Sequence, residues 1–161
     1  MANTEKYRPN VGAVIFNKNA DIWIGKRADI TSNSSWQMPQ GGIDINEPSL
    51  EAAVREVYEE TGIKSIKHVS FIDKWIKYKL PANIAVNKWN GKYVGQMQKW
   101  YLFYFYGNDS EVNINIDKNP EFIDWKWADR IYIEKNVTDF RKNIYKNVFK
   151  KFSINIINTL N

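Results

Sequence analysis

Between Gly41 and Ile63 the chain reads GGIDINEPSLEAAVREVYEETGI, the stretch that most constrains what it can fold into. Residues 48–61 predict a helix: Leu50, Ala53, Val54, Val57 and Thr61 recur at helical spacing, and Gly62 supplies a C-terminal stop. On a wheel of about 100° per residue the apolar positions form one stripe, and Glu56, Glu59 and Glu60 lie beside it within an arc of about 100°. Their i,i+3 and i,i+4 spacings bring the carboxylates together, and such like-charge pairs cost an isolated helix about a few tenths of a kcal/mol each. A solvated acidic face tolerates that cost. This cluster, however, borders the buried stripe and follows what reads as a Gly-Gly turn, and a hard cation accounts for it better. Oxygen ligands alone suit magnesium or manganese, which bind through a few carboxylates plus waters and substrate phosphates.

Around this helix the pattern predicts strands. Residues 11–16 (VGAVIF) and 22–26 (IWIGK) read as a hairpin, followed by a Ser/Asn loop over 31–35 and the WQMPQGG segment, punctuated by Pro39 and the paired glycines. Residues 66–76 are strand-like, 78–95 read as a long loop, and 100–106 (WYLFYFY) predict a buried central strand. A further strand is expected over 122–127, FIDWKW. From Val137 onward Phe140, Ile144, Val148, Phe152 and Ile156 step by four, giving a long amphipathic terminal helix. Strands first, one helix mid-chain and one at the end predict a layered α/β (α+β) fold within a single domain spanning 1–161.

Composition narrows the chemistry. With 161 residues, 43% hydrophobic and 25% charged, the chain has the balance of a folded domain with a substantial core. No cysteine is present, so disulfides, thiolate metal sites and Cys nucleophiles are excluded. The one histidine, His68, lies in what reads as a helix-to-strand connection and is expected at the surface; a His-rich zinc site is ruled out. The polar start MANTEKYRPN and the lack of a long apolar run predict a cytoplasmic protein with no membrane partner. A net charge of +5, spread along the chain, is a weak pointer to a polyanionic partner.

The acidic helix also belongs to a longer pattern. From Gly41 the chain runs Gly, five residues, Glu47, seven residues, then Arg55-Glu56-Val57-x-Glu59-Glu60-x-Gly62-Ile63. Every fixed position of the Nudix box is matched, and the chain resembles the Nudix hydrolase family. The resemblance implies an α/β/α sandwich with a mixed sheet, in which the box forms a loop-helix-loop. It implies that Glu56, Glu59 and Glu60 bind divalent cations, Mg2+ or Mn2+, with the carbonyl of Gly41. Arg55 and Glu47 would then support these ligands, Arg55 by a charge-assisted bond to Glu59 one turn on; an ordinary surface ion pair is the alternative. The implied reaction is metal-dependent attack of water on a phosphoanhydride, without a covalent enzyme intermediate.

Strings outside the box refine the match: YRPNVG at 7–12, SWQMPQGGI at 35–43, YKLP at 78–81, GQMQKWYLF at 95–103, PEF with WKW within 120–127, and Phe140-Arg141 before IYKNV. Together they resemble the bacterial RNA 5′ pyrophosphohydrolases, a group overlapping the (di)nucleoside polyphosphate hydrolases, over residues 7–152. On that resemblance Glu121 is a further metal ligand or the base for water, against a plain loop glutamate. Arg8 and Arg27 are candidate phosphate or base contacts. Phe140 and Arg141 resemble a pair lining a base-binding cleft, although Phe140 equally suits the start of the terminal helix core. Ser35, Tyr78 and Gln96 look like substrate contacts. Met97 departs from the family by replacing an expected basic residue, and the loop before Trp36 is slightly long. The expected substrate is the triphosphorylated 5′ end of RNA, with nucleotide polyphosphates as the alternative and a non-catalytic nucleotide sensor as a rival of another class. Sequence does not fix the oligomeric state; a monomer is the expectation.

Overall fold

The computed structural model describes residues 5–30, 32 and 35–161. Thr31, Asn33 and Ser34 of the expected Ser/Asn loop, and the first four residues of the polar N-terminal stretch, lie outside the described residues. Among the described residues seven strands form one mixed sheet: β1 (Tyr7–Phe16), β2 (Ile22–Arg27), β3 (Trp36–Gln37), β4 (Gln40–Gly42), β5 (Ile66–Lys79), β6 (Gly95–Phe105) and β7 (Phe122–Ala128). The order is β3-β2-β1-β6-β5, with β4 paired to β1 and β7 to β2. β1 and β6 run parallel at the centre, Arg8 beside Gln96 and Asn10 beside Gln98, while the remaining pairs are antiparallel.

Alternation along the central strands sends side chains to two faces, because successive residues of a strand point to opposite sides. Val11, Ala13 and Ile15 of β1, with Tyr101, Phe103 and Phe105 of β6, pack under α1 (Ser49–Thr61) through Ala52, Ala53 and Val57. Val14 and Phe16, with Trp100 and Leu102, pack on the other face beneath the terminal helix. Two short helices, α2 (Ala82–Ala85) and α3 (Arg130–Asn136), precede that terminal helix, α4 (Asp139–Leu160). α4 contributes Ile144, Tyr145, Val148, Phe149, Phe152 and Ile156. The Tyr145 hydroxyl accepts a 3.0 Å hydrogen bond from the buried backbone N–H of Met38, tying α4 to the β3–β4 connection. The result is a helix–sheet–helix sandwich, the layered mixed fold expected.

Several local expectations change. Val54 is 43% exposed and Ala52 is buried in its place, so the helix buries a face set slightly off the expected stripe. The Gly41-Gly42 pair is no turn: both residues are extended in β4, opposite Val11 and Asn10 of β1. The expected loop over 78–95 is largely structured. Tyr78 and Lys79 end β5, Pro81 opens α2, a 3₁₀ turn covers Trp89–Gly91, and Gly95 begins β6. A proline opening so short a helix, and no run long enough to show periodicity, hid these elements. His68 lies inside β5 and is exposed, at the surface as expected but not in a connection. α3 was not anticipated; its signal was Asp129, whose side chain caps the Tyr132 N–H at 2.8 Å.

Candidate active site

Gly62 ends α1 in the left-handed conformation, φ 73°, with its N–H on the Tyr58 carbonyl at 2.8 Å. That stop leaves Glu56, Glu59 and Glu60 in the last two turns; Glu56 packs on Gly41 of β4 and lines a cleft with Glu60, whereas Glu59 does not line it. Gly41 is glycine because a Cβ there would overlap the Glu56 carboxylate; at Gly42 one would overlap the Arg8 guanidinium. The pair therefore makes room for side chains rather than for a turn. Beneath them a buried amide network fixes the floor. Gln98 Nε2 donates to Asn10 Oδ1 at 2.8 Å and to Gln40 Oε1 at 3.2 Å, and Trp100 Nε1 donates to Gln98 Oε1 at 3.1 Å.

Arg55 is the hub of the acidic cluster. Its Nε and Nη2 donate to the two oxygens of Glu47 at 2.8 and 2.9 Å, and Nη2 also reaches the Gly42 carbonyl at 2.9 Å. Its Nη1 donates to Glu56 at 2.9 Å and Glu59 at 3.1 Å. Hydrogen bonding to Glu47 raises the guanidinium above its ordinary range despite burial. The same bond holds Glu47 down at about 2. A fork this well satisfied fixes orientation as much as charge.

Glu56 behaves oppositely. Burial pushes its carboxyl up to about 7; the Arg55 guanidinium opposes this and Glu59 adds to it. Burial likewise raises Glu60 well above the carboxylate range, reinforced by Glu56 and Glu121 and opposed by the Gln40 backbone N–H. Part of the Glu60 side chain reaches the surface, yet its Oε2 is buried without a hydrogen-bond partner among the described residues. Glu59 is less enclosed, its side chain 40% exposed and held by Arg55. Among the described residues no three carboxylate or imidazole groups are gathered to enclose a metal ion; Arg55 occupies an oxygen of Glu56 and one of Glu59. An orphaned buried carboxylate oxygen beside raised carboxyls, with oxygen donors only, nevertheless fits a hard divalent cation.

Glu56, Glu60, Glu121 and Gly41 line one cleft of about 250 Å³, and Arg8, Arg27, Gln96 and Arg141 line it too. Glu121 enters from the segment before β7, which is anchored where the Glu121 carbonyl accepts the Ala28 N–H at 3.0 Å. Besides Glu60 Oε2, two buried polar atoms of cleft-lining residues lack a partner among the described residues: Gln96 Oε1 and Arg141 Nε. Arg27 is not a free cation. Its Nε and Nη2 grip Asp29 at 2.9 and 2.6 Å, and Nη1 reaches Gln37 at 3.3 Å. Burial disfavours the charged form of Asp29, but the bonds and charge of Arg27 prevail and hold its carboxyl below the usual value.

A second cavity of about 460 Å³ adjoins the cleft, sharing Arg27 and Arg141 and walled by Phe140, Leu80 and Ile84. Phe140 stacks on Tyr78 at 6.0 Å and carries the Arg141 guanidinium at 4.6 Å from its ring centroid. Tyr78 does not line this cavity; it is buried behind Phe140, and its hydroxyl has no partner among the described residues. Ser35 is also buried and lines neither cavity, its carbonyl accepting the Arg27 N–H at 2.9 Å. Sequence reasoning missed Asp29, Lys88 and Trp89. Lys88 lines both cavities and Trp89 the polar one. Both sit in the segment read as loop, where neither periodicity nor motif spacing gave a signal.

Comparison with known proteins agrees with this geometry. The NUDIX domain model matches residues 6–148. An RNA pyrophosphohydrolase of Wolbachia sp. subsp. Brugia malayi is 44% identical, covering 94% of this chain and 93% of its own. Its namesake from Pelagibacter ubique is 45% identical over 89% and 90%. Among solved structures, a C. elegans Ap4A hydrolase binary complex superposes with TM-score 0.62 at 19% identity, covering 89% of this chain and 98% of that one. A NUDIX hydrolase from Nitrosomonas europaea gives 0.67 at 13%, covering 92% and 90%; at such identities the likeness is one of fold. A sandwiched mixed sheet, a glutamate helix braced by one arginine and relatives matched along nearly their whole length lead to one conclusion: the chain belongs to the Nudix family and is a Nudix hydrolase.

Proposed function

We propose that the enzyme removes pyrophosphate from the triphosphorylated 5′ end of RNA, leaving a 5′-monophosphate end and so promoting decay of cytoplasmic transcripts. The observation that carries this reading is the adjacency of two cavities of opposite character. A polar cleft bounded by carboxylates and guanidinium groups shares Arg27, Lys88 and Arg141 with an apolar pocket that has an aromatic wall. A phosphate chain suits the first and a splayed nucleobase the second. The name RNA pyrophosphohydrolase, borne by relatives at 40–45% identity, supports the same reading.

In this reading Glu56, Glu59 and Glu60, with the Gly41 carbonyl, would hold Mg2+, and Mn2+ suits the same oxygens. When bound, the cation supplies positive charge against the phosphate oxygens and acidifies the attacking water. Arg55 orients Glu56 and Glu59 through its Nη1 and is itself fixed by Glu47. Glu121 accepts a proton from the attacking water. One water adds across the bridge between the α- and β-phosphates, which breaks to give 5′-monophosphate RNA, pyrophosphate and one proton. Arg8 and Gln96 hold the phosphate oxygens, and Arg27, neutralised by Asp29, offers its remaining N–H donors. Phe140 and Arg141 stack the base; Tyr78 and Ser35 act from behind, by backing Phe140 and by fixing Arg27.

The discriminating experiment presents purified protein, with magnesium, with 5′-triphosphate RNA and diadenosine tetraphosphate at matched concentrations. Pyrophosphate release with the higher kcat/KM on RNA is expected. A much higher kcat/KM on the dinucleotide would reassign the substrate, and binding without turnover of either would indicate a nucleotide-sensing module.

A further inference from the structure

Arg8 and Lys88 converge on one aromatic ring. The Arg8 guanidinium lies 5.3 Å and the Lys88 ammonium 5.1 Å from the Trp89 ring centroid, and all three residues line the polar cleft. Neither cation makes an ion pair among the described residues, whereas Arg27 is engaged by Asp29 and Arg55 by glutamates. Like charges gathered without a direct ion pair repel, and an indole face compensates each only weakly. Burial first, then the neighbouring Arg27 and Arg141, press Lys88 towards losing its proton, while Glu121 and Asp29 favour keeping it.

The backbone indicates that this arrangement is built rather than incidental. Trp89 and Asn90 take φ of 53° and 56°, a conformation that a bulky aromatic rarely adopts. Strain of this kind persists where the surroundings over-determine it, and it clusters at ligand clamps. The tight turn brings Lys88 to the boundary between the polar cleft and the apolar pocket, both of which it lines.

We propose that Lys88, seated on Trp89 beside Arg8, is a substrate-binding residue that grips the oxyanions of the phosphate chain where it passes from the acidic cleft towards the base pocket. This rests on the reading of the site as one for 5′-polyphosphate ends. The chain's negative charge removes the repulsion among Arg8, Lys88 and Arg141, so Lys88 discriminates in favour of polyphosphorylated ends. Carboxylates hold the acidic side of the cleft; Lys88 holds the basic side.

Two measurements test the proposal. In the first, inorganic tripolyphosphate is titrated calorimetrically into wild type, Lys88→Gln and Lys88→Arg with magnesium present. Affinity is expected to fall roughly tenfold in Lys88→Gln, as for loss of a charge-assisted hydrogen bond, and to stay within about threefold in Lys88→Arg. In the second, turnover of 5′-triphosphate RNA should show the Lys88→Gln loss in KM, with kcat within about twofold. The slope of log kcat/KM against log salt should also flatten by about 0.7, as for one lost contact to a single-stranded chain. Unchanged tripolyphosphate affinity in a Lys88→Gln protein that melts like wild type would overturn the proposal. Equal losses in Lys88→Gln and Lys88→Arg would overturn it too, by assigning Lys88 to packing. Wild-type failure on triphosphate RNA despite intact tripolyphosphate binding would instead contradict the underlying substrate reading.

Discussion

Glu56 and Glu60 sit where a carboxylate loses hydration, and the protein tolerates the cost at a surface it could have made apolar. Unfolded, Glu56 would ionise near 4.5; folded, burial moves this to about 7. Between those values the folded protein keeps a proton that the unfolded chain has lost, so stability falls as pH rises through the window and levels off above it. The full effect is on the order of 3 kcal/mol. Glu47, held down at about 2, works the other way, but its contribution is complete once pH exceeds about 5. Metal-free protein should therefore melt at lower temperature near pH 8 than near pH 5.5, and excess magnesium should shrink the difference by favouring the ionised form. A melting temperature that rises across that range in chelator would contradict the assignment. Glu59→Gln should cut turnover by at least about a hundredfold with little change in melting, and Arg55→Ala by about 10- to 100-fold, since it removes the brace from two glutamates. Steady-state kinetics beside thermal melts checks both. At this scale the glutamates were legible because helical spacing brings i and i+3 or i+4 together, and Arg55 because the box places it one turn before Glu59. Lys88 was not, because its position depends on a turn in which Trp89 and Asn90, and not only Gly91, are left-handed.

Elements place these residues by a few specific contacts. Gly62→Ala would force a side chain into the left-handed region and against the Asn113 backbone at 2.9 Å, and about 1–2 kcal/mol of destabilisation is expected in chemical denaturation. Activity should suffer too, because the end of α1 carries Glu59 and Glu60. Tyr145→Phe would leave the buried Met38 N–H without its acceptor and should cost about 1–3 kcal/mol while leaving kcat near wild type. No measurable loss in that variant would mean that α4 docks by apolar packing alone. The central strands could be read from short apolar runs, and the long helices from periodicity. β3 and β4 could not: two- and three-residue strands carry no period, and the glycines of β4 look like a turn until the Glu56 and Arg8 side chains packed against them are seen.

For the whole molecule, the sheet separates two cores and leaves the cleft at one end, where β1, β4, α1 and the segment before β7 meet. The order of apolar runs and helical stripes was enough to anticipate a layered α/β domain, and the resemblance of the box supplied the sandwich. The adjacency of the polar cleft and the Phe140 pocket was not, since it joins residues from Arg8 to Arg141 across the entire fold. No helix among the described residues is long and apolar enough to cross a membrane. The central claim is that this joined site acts on a phosphate chain attached to a splayed RNA end. Its most direct test is the specificity constant for pyrophosphate release from 5′-triphosphate RNA, set against that for diadenosine tetraphosphate under the same magnesium. The account predicts the larger value for RNA, with a 5′-monophosphate product; a larger value for the dinucleotide, or no pyrophosphate from RNA, would contradict it.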